Sequence, residues 1–173
     1  MPLQLFPANM LSIKIATVVD IPLIQELSKQ IWPQTYNPLI GEKQVAYMLE
    51  LFYSQNALKM QMEEAAHNFI ICYSDSVPVA FASYSEIEPQ IYKLQKIYTL
   101  PDQQGKGIGH YMLEYIVNDL KNRKATALRL NVNRNNYPAK SFYEKTGFTH
   151  FMEEDIDIGN GFFMNDHVLE LAI

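Results

Sequence analysis

The chain has 173 residues, 48% hydrophobic and 19% charged, with a formal net charge of −5. That length suits one domain and is short for two, and the composition is that of a packed globular protein rather than a disordered one. The acidic excess argues against a basic face for nucleic acid, and Cys72, the lone cysteine, excludes an intrachain disulfide or a multi-thiolate metal site.

The start, Met1-Pro2-Leu3-Gln4-Leu5-Phe6-Pro7, lacks the basic n-region of a signal peptide. No window approaches the ~18 uninterrupted apolar residues of a membrane span. The expectation is a soluble cytoplasmic protein with neither membrane nor nucleic-acid partners. Met10 stands just before the first strand-like pattern, so residues 1–11 are expected to form an N-terminal extension to a single domain over 12–173.

Residues 12–17 alternate as a strand, with Ile13, Ile15 and Thr17 on one side. Asp20 is placed to cap a helix opened by Pro22 and continued through Ile24, Leu27 and Ile31. Two prolines, Pro33 and Pro38, are expected to break it within 32–38. Helical spacing resumes over 42–53, through Val45, Met48, Leu49 and Phe52, and 55–66 suits another short helix. Three strands follow, over 68–73, 77–86 and 92–100, the first two joined by the turn Ser74-Asp75-Ser76. Cys72 falls in the apolar run of the first of these, where a buried inert thiol is expected.

The pattern then changes period. Gly109, Leu113, Ile116, Val117 and Leu120 make one apolar helical face. Residues 125–133 return to strand, with Leu128, Leu130 and Val132 inside and Arg129 and Asn131 opposite. A helix from about Pro138 is expected to stop at Gly147. Two final strands, near 148–156 and 162–171, flank the turn Gly159-Asn160-Gly161. Strands interleaved with helices in this order predict an α/β (α+β) fold, a mixed sheet covered by helices.

The chemistry concentrates where the fourth strand meets the long helix, at Gln104-Gly105-Lys106-Gly107-Ile108-Gly109. Glycines admit positive φ and close approach of a ligand to the backbone. The unsatisfied N–H groups of a helix's first turn point outward together and carry partial positive charge, which suits a pyrophosphate. Lys106 adds a mobile cation. Neither a P-loop nor a dinucleotide fingerprint fits, because Gly105-Lys106-Gly107-Ile108 lacks the Gly-Lys-Ser/Thr ending and His110 stands where another glycine would be needed. On this segment alone, a turn that merely lets helix pack on strand remains open. The four histidines, His67, His110, His150 and His167, show no metal-ligand spacing, so no metal is expected.

Here the chain resembles the GNAT superfamily of N-acetyltransferases. Gln104 to Gly109 match its signature of Gln/Arg, two residues, Gly, one residue, Gly/Ala. The strand Ile97-Tyr98-Thr99-Leu100-Pro101 precedes it as in that family. A second motif, Asn136-Tyr137-Pro138-Ala139-Lys140-Ser141-Phe142-Tyr143-Glu144-Lys145-Thr146-Gly147-Phe148, follows at the expected distance. The resemblance spans roughly 12–172 and is best over 92–148. It implies a mostly antiparallel sheet of six to seven strands, splayed between the fourth and fifth, and acetyl-CoA as co-substrate. The general layout is similar to bacterial spermine/spermidine acetyltransferases, implying a small amine such as a polyamine as acceptor and a homodimer through the C-terminal strands.

By the same resemblance, the amides of Gln104, Gly105, Lys106, Gly107, Ile108 and Gly109 hold the pyrophosphate. The strand backbone at Ile97, Tyr98 and Thr99 aligns the pantetheine arm, with a carbonyl donor near Thr99 and Asn136 as a side-chain partner. Tyr143 takes the place of the general-acid tyrosine, since a phenol of pKa about 10 stays protonated at neutral pH. Many relatives carry a glutamate where this chain has Gln95, an amide that cannot accept a proton. Glu86 and Glu88 are the nearest carboxylates along the chain. Amine recognition is expected from Trp32, Thr35 and Tyr36, and from Asp155, Asp157 and Asp166 of the last hairpin. Without the resemblance, Tyr143 and Trp32 read as core, Asn136 as a cap, and the aspartates as exposed. A catalytically silent acyl-CoA-binding module, a peptide or protein acetyltransferase, and a fold with no cofactor are the competing functions.

Overall fold

A computed structural model describes residues 9–173. The expected extension lies mostly outside the described residues; the sheet itself begins at Leu11. Seven strands form one sheet: β1 (Leu11–Ile15), β2 (Asn68–Ser74), β3 (Val77–Glu88), β4 (Ile91–Thr99), β5 (Ala127–Asn133), β6 (Thr149–Gly159) and β7 (Phe162–Ala172). Their order is β1-β2-β3-β4-β5-β7-β6. Every neighbouring pair is antiparallel except β4–β5. A parallel pair needs a crossover, and α4 (Ile108–Asn122) supplies it.

Helices α1 (Ile21–Ile40), α2 (Glu42–Tyr53) and α3 (Gln55–Glu63) cover one face of the sheet, and α4 and α5 (Tyr137–Lys145) the other. Two cores result. Ile24, Ile31, Leu58, Phe69, Ile71 and Phe81 fill the first. Ile70, Cys72, Met112, Ile116, Leu120 and Leu128 fill the second. Alternate residues of β2 and β3 enter opposite cores, which is why both strands read as continuous apolar runs. Ile108, Met112, Leu113, Ile116 and Leu120 on α4 are at most 4% exposed. Each such burial contributes about 1.5–3 kcal/mol. Cys72 is fully buried and its thiol is pushed up to about 11 by desolvation, as expected for an inert thiol.

Four local expectations need correction. Pro33 and Pro38 do not end the first helix, which runs through both to Gly41, whose N–H donates to Asn37 O. The carbonyls their rings strand belong to Lys29 and Gln34, both exposed, so water can satisfy them. Asp20 does not cap that helix: its carboxylate turns back to the Thr17 N–H at 2.9 Å and Lys14 Nζ at 2.8 Å. The third helix stops at Glu63, with Ala66 at φ 52°. The first strand ends at Ile15, short of Thr17, and Ile15 at that end is 67% exposed.

The β2–β3 and β6–β7 hairpin turns suit their residues. Asp75 and Ser76 take φ of 48° and 67°, and Asn160 and Gly161 take 56° and 76°, the doubly positive geometry that matches strand twist. The second hairpin is tied to α2: Tyr47 Oη donates to Ile158 O at 2.6 Å, and Gln44 Nε2 donates to Phe163 O at 2.7 Å. This clasp closes one side of a cavity between α1, α2 and the hairpin.

Candidate active site

β4 and β5 pair only from Ile91↔Ala127 to Leu94↔Leu130. Beyond that point 95–99 part from 131–133, and the sheet opens. A β-bulge stands at the same place. Across β3–β4 the register steps from Ser83↔Lys96 to Tyr84↔Leu94, leaving Gln95 as the extra residue. Tyr92 and Leu94 enter the α4 core, whereas Lys96 and Tyr98 turn to the α1–α3 side. In an unbroken strand all four would share a face.

The backbone of β4 is likewise divided. Leu100 N–H donates to Val79 O at 2.9 Å, so alternation directs the Tyr98 N–H toward β3 as well. Ile97 and Thr99 therefore present their N–H groups to the gap that β5 has left. Gln104 Nε2 donates to Thr99 O at 3.3 Å, fastening the glycine turn to the strand end.

At that turn Gly105 and Gly107 have φ of 76° and 81°, and a Cβ at either would meet nothing within 4 Å. Gly107 is the N-cap of α4 and has no side-chain cap. Among the described residues, no main-chain oxygen accepts from the N–H groups of 105–110, whereas Tyr111 N–H returns to Gly107 O at 3.0 Å. Six successive donors thus lie uncommitted beside open space, as an anionic ligand requires. Gly109 serves differently: a Cβ there would lie 3.3 Å from the Phe142 ring of α5.

These donors line a cleft of about 840 Å³. Its walls include Ile97 and Thr99 of β4, Gly105 and Gly107 of the turn, and Asn136 and Tyr143 at α5. Asn136 Oδ1 caps α5 by accepting from Ala139 N–H at 3.4 Å, so only its amide nitrogen is left to face the cleft. Tyr143 stacks edgewise on Phe142 and Phe148, and burial pushes its phenol above the ordinary range.

A second cavity of about 410 Å³ lies beyond the gap, enclosed by α1, α2 and the β6–β7 hairpin. The two share Gln95, Lys96 and Tyr98 of β4, Asn131 and Asn133 of β5, and Tyr36 of α1. They meet where β4 and β5 diverge. Trp32 and Tyr36 line the smaller cavity, with ring centroids 4.5 Å apart, while Thr35 lines the larger. Trp32 is 4% exposed and donates to Tyr53 Oη at 3.2 Å, so it is both core and wall.

Asp166, on β7, is the carboxylate of the smaller cavity and only 4% exposed. Asn131 Nδ2 donates to it at 3.2 Å and to Glu154 at 2.8 Å. Burial raises its pKa, while the Asn131 hydrogen bond and Lys93 draw it back. The reading of all three hairpin aspartates as exposed fails for Asp166. Asp155 instead pairs with Arg134 at 2.9 Å, and Asp157 accepts from Gly159 N–H at 2.8 Å. Glu86 and Glu88 do not reach the cleft: Glu86 accepts from Gln90 N–H in the β3–β4 turn, and Glu88 pairs with Arg129. Gln95 lines both cavities and donates to Ser85 Oγ at 3.2 Å. Lys96 and Asn131 were missed as site residues. The available signal was a polar residue on each of two strands whose neighbours are buried.

The chain was compared with known proteins. A family model described as the acetyltransferase (GNAT) family matches residues 24–148. The spermidine N(1)-acetyltransferase of Thermoplasma acidophilum is 26% identical over 158 residues, 89% of this chain and 95% of the relative. The PaiA N-acetyltransferase of Thermoplasma acidophilum, solved in complex with coenzyme A, superposes with a TM-score of 0.81 at 23% identity, covering 95% of this chain and 99% of that one. A GCN5-related N-acetyltransferase of Rhodopseudomonas palustris gives a TM-score of 0.81 at 16% identity, over 97% and 99%.

Proposed function

The chain belongs to the acetyltransferase (GNAT) family and is an acyltransferase, and from that premise we propose that it transfers an acetyl group from acetyl-CoA to a small primary amine, by direct attack in a ternary complex. The observation that carries this reading is the junction of two cavities at the opening between β4 and β5, one lined by uncommitted backbone donors and the other by aromatic rings and a carboxylate. Coenzyme A in the Thermoplasma neighbour and the spermidine specificity of the Thermoplasma relative agree with this assignment of donor and acceptor.

The residues present suit acetyl-CoA. The N–H groups of Gly105, Lys106, Gly107, Ile108 and Gly109 hold the pyrophosphate, those of 105–110 having no main-chain acceptor of their own among the described residues, whereas Gln104 N–H already donates to Pro101 O at 3.5 Å. Ile97 and Thr99 offer main-chain groups to the pantetheine amides as a paired strand would, while Tyr98 contributes its ring. Acetyl-CoA supplies the acyl carbon as a thioester. Thr99 N–H is the donor that meets negative charge developing on the acyl oxygen. Asn136 orients the arm through its free amide nitrogen.

On the acceptor side, Trp32, Thr35 and Tyr36 bound the amine, and Asp166 receives its ammonium group. Gln95 cannot take the proton, so Asp166 is the carboxylate in place to accept it before attack. Tyr143 donates a proton to the departing sulfur; burial keeps the phenol protonated, so it is ready as an acid throughout the neutral range.

A thiol-release assay over polyamines, amino acids, aminoglycosides and peptides tests this. Turnover with a small diamine or polyamine is expected. Tyr143→Phe should lower kcat by about 100-fold or more with acetyl-CoA affinity kept, and Asp166→Asn should both lower kcat and raise the amine KM. Acetyl-CoA binding without turnover across the whole panel would favour a silent binding module.

A further inference from the structure

The four histidines show no ligand spacing along the chain, yet the sheet brings two of them together. His150 is on β6 and His167 on β7, with Glu153 directly opposite His167. Three positions separate His150 from Glu153, which would place them on opposite faces of a regular strand. The register steps from His150↔Leu169 to Met152↔Val168, so Phe151 is an extra residue and the bulge returns Glu153 to the face of His150. Leu169 and His167, two apart on β7, define that shared face. One donor atom from each of His150, Glu153 and His167 lies within 4.8 Å of the others. The imidazole centroids are 5.6 Å apart. His167 Nδ1 is buried and has no hydrogen bond; Glu153 Oε1 is 3.3 Å away but outside hydrogen-bond geometry.

We propose that His150, Glu153 and His167 form a binding site for a divalent transition metal, zinc being the best match, on the face of the hairpin opposite Asp166. Two imidazoles and a carboxylate are a donor set that zinc accepts with water in the fourth position. Magnesium and calcium prefer oxygen-rich sites, which this is not. A tetrahedral zinc site needs donors about 3.3–3.5 Å apart given metal–ligand distances near 2.0–2.1 Å. His150 and Glu153 are exposed, so their side chains are free to close the remaining distance. The neighbouring cation is Arg134, whose Nη2 lies 3.6 Å from Glu153 Oε2; it engages the other oxygen and leaves Oε1 for the metal. A bound ion would clamp β6, an edge strand held in the sheet by β7 alone, onto the strand that carries Asp166.

The test uses the untagged full chain, freed of metal by chelator and titrated with zinc chloride by calorimetry and thermal unfolding. One ion per chain and a higher Tm are expected. The double variant His150→Asn, His167→Asn should weaken binding at least about tenfold, as loss of even outer-shell partners does, and lose the Tm shift. If the double variant does not fold, His150→Asn alone, at an exposed position, serves in its place. No heat at stoichiometric zinc, or equal binding by the variant, overturns the proposal. Acetyl-CoA affinity is measured alongside and is expected to be unchanged in the variants, so failure here leaves the acetyl-transfer reading intact.

Discussion

Lys96 buries an ammonium group that no carboxylate among the described residues meets. Its Nζ donates to Gln61 Oε1 at 2.8 Å and lies over the rings of Tyr53 and Phe69, 5.3 and 5.7 Å from their centroids. Burial, helped by nearby Lys93, pushes its pKa down to about 7 from 10.5. Between those values the folded chain has shed a proton that the unfolded chain keeps, so stability rises with pH across that window. Below the lower value both states are charged and the full cost of burial is present. Lys96→Met should therefore stabilise the protein by about 1–4 kcal/mol near pH 6, with the advantage shrinking toward pH 9, as read from urea unfolding. A parent protein equally stable at both pH values would refute it. Asp166 behaves oppositely: its raised pKa makes stability fall as pH climbs from the unfolded carboxylate range to the folded one. Both groups line the smaller cavity, and burying each without an opposite charge costs stability.

The first helix shows how tertiary packing overrides local preference. An interior proline costs about 3 kcal/mol through its missing N–H and its clash with the preceding turn. Here that cost is offset because Trp32 and Tyr36, on either side of Pro33, form an aromatic cluster with Tyr53 and Tyr98. Pro33→Ala restores a donor to the Lys29 carbonyl but loosens the unfolded chain, which takes back roughly 0.4–1 kcal/mol. The net gain should be about 2–2.6 kcal/mol, seen by calorimetry as a Tm increase of about 2–4 °C for each kcal/mol. An unchanged or lower Tm would show that the helix is bent to suit the proline. α4 differs, because no side chain caps its N-terminus at Gly107.

Across the whole molecule, the two cavities depend on a sheet that separates at Leu94↔Leu130 while β5 stays paired with β7 along its full length. The unpaired half of β4 is the part a pantetheine arm would complete. Hydrogen exchange with and without coenzyme A should therefore show new protection at the Ile97 and Thr99 amides and across 105–110. Tyr98, already directed at β3, should change little. Protection confined to the glycine turn would mean that the arm does not lie along β4. No helix among the described residues is long and apolar enough to cross a membrane.

Periodicity and turn chemistry were enough to place nearly every element, because core-facing repeats and glycine or proline punctuation are local properties. The α4 face, the limits of α2 and the doubly positive hairpin turns were all legible this way. The glycine turn before α4 and the helix within the Asn136-to-Phe148 segment were legible too, since each is continuous in the chain. What needed the tertiary structure was everything that depends on strand register. The bulge at Gln95 turns Lys96 and Tyr98 toward the smaller cavity, and the bulge at Phe151 gathers His150 with Glu153. Pairing of β5 with β7 brings Asn131 within reach of Asp166. A single inserted residue inverts the facing of all that follow it in a strand, and only the partner strand shows where the insertion lies.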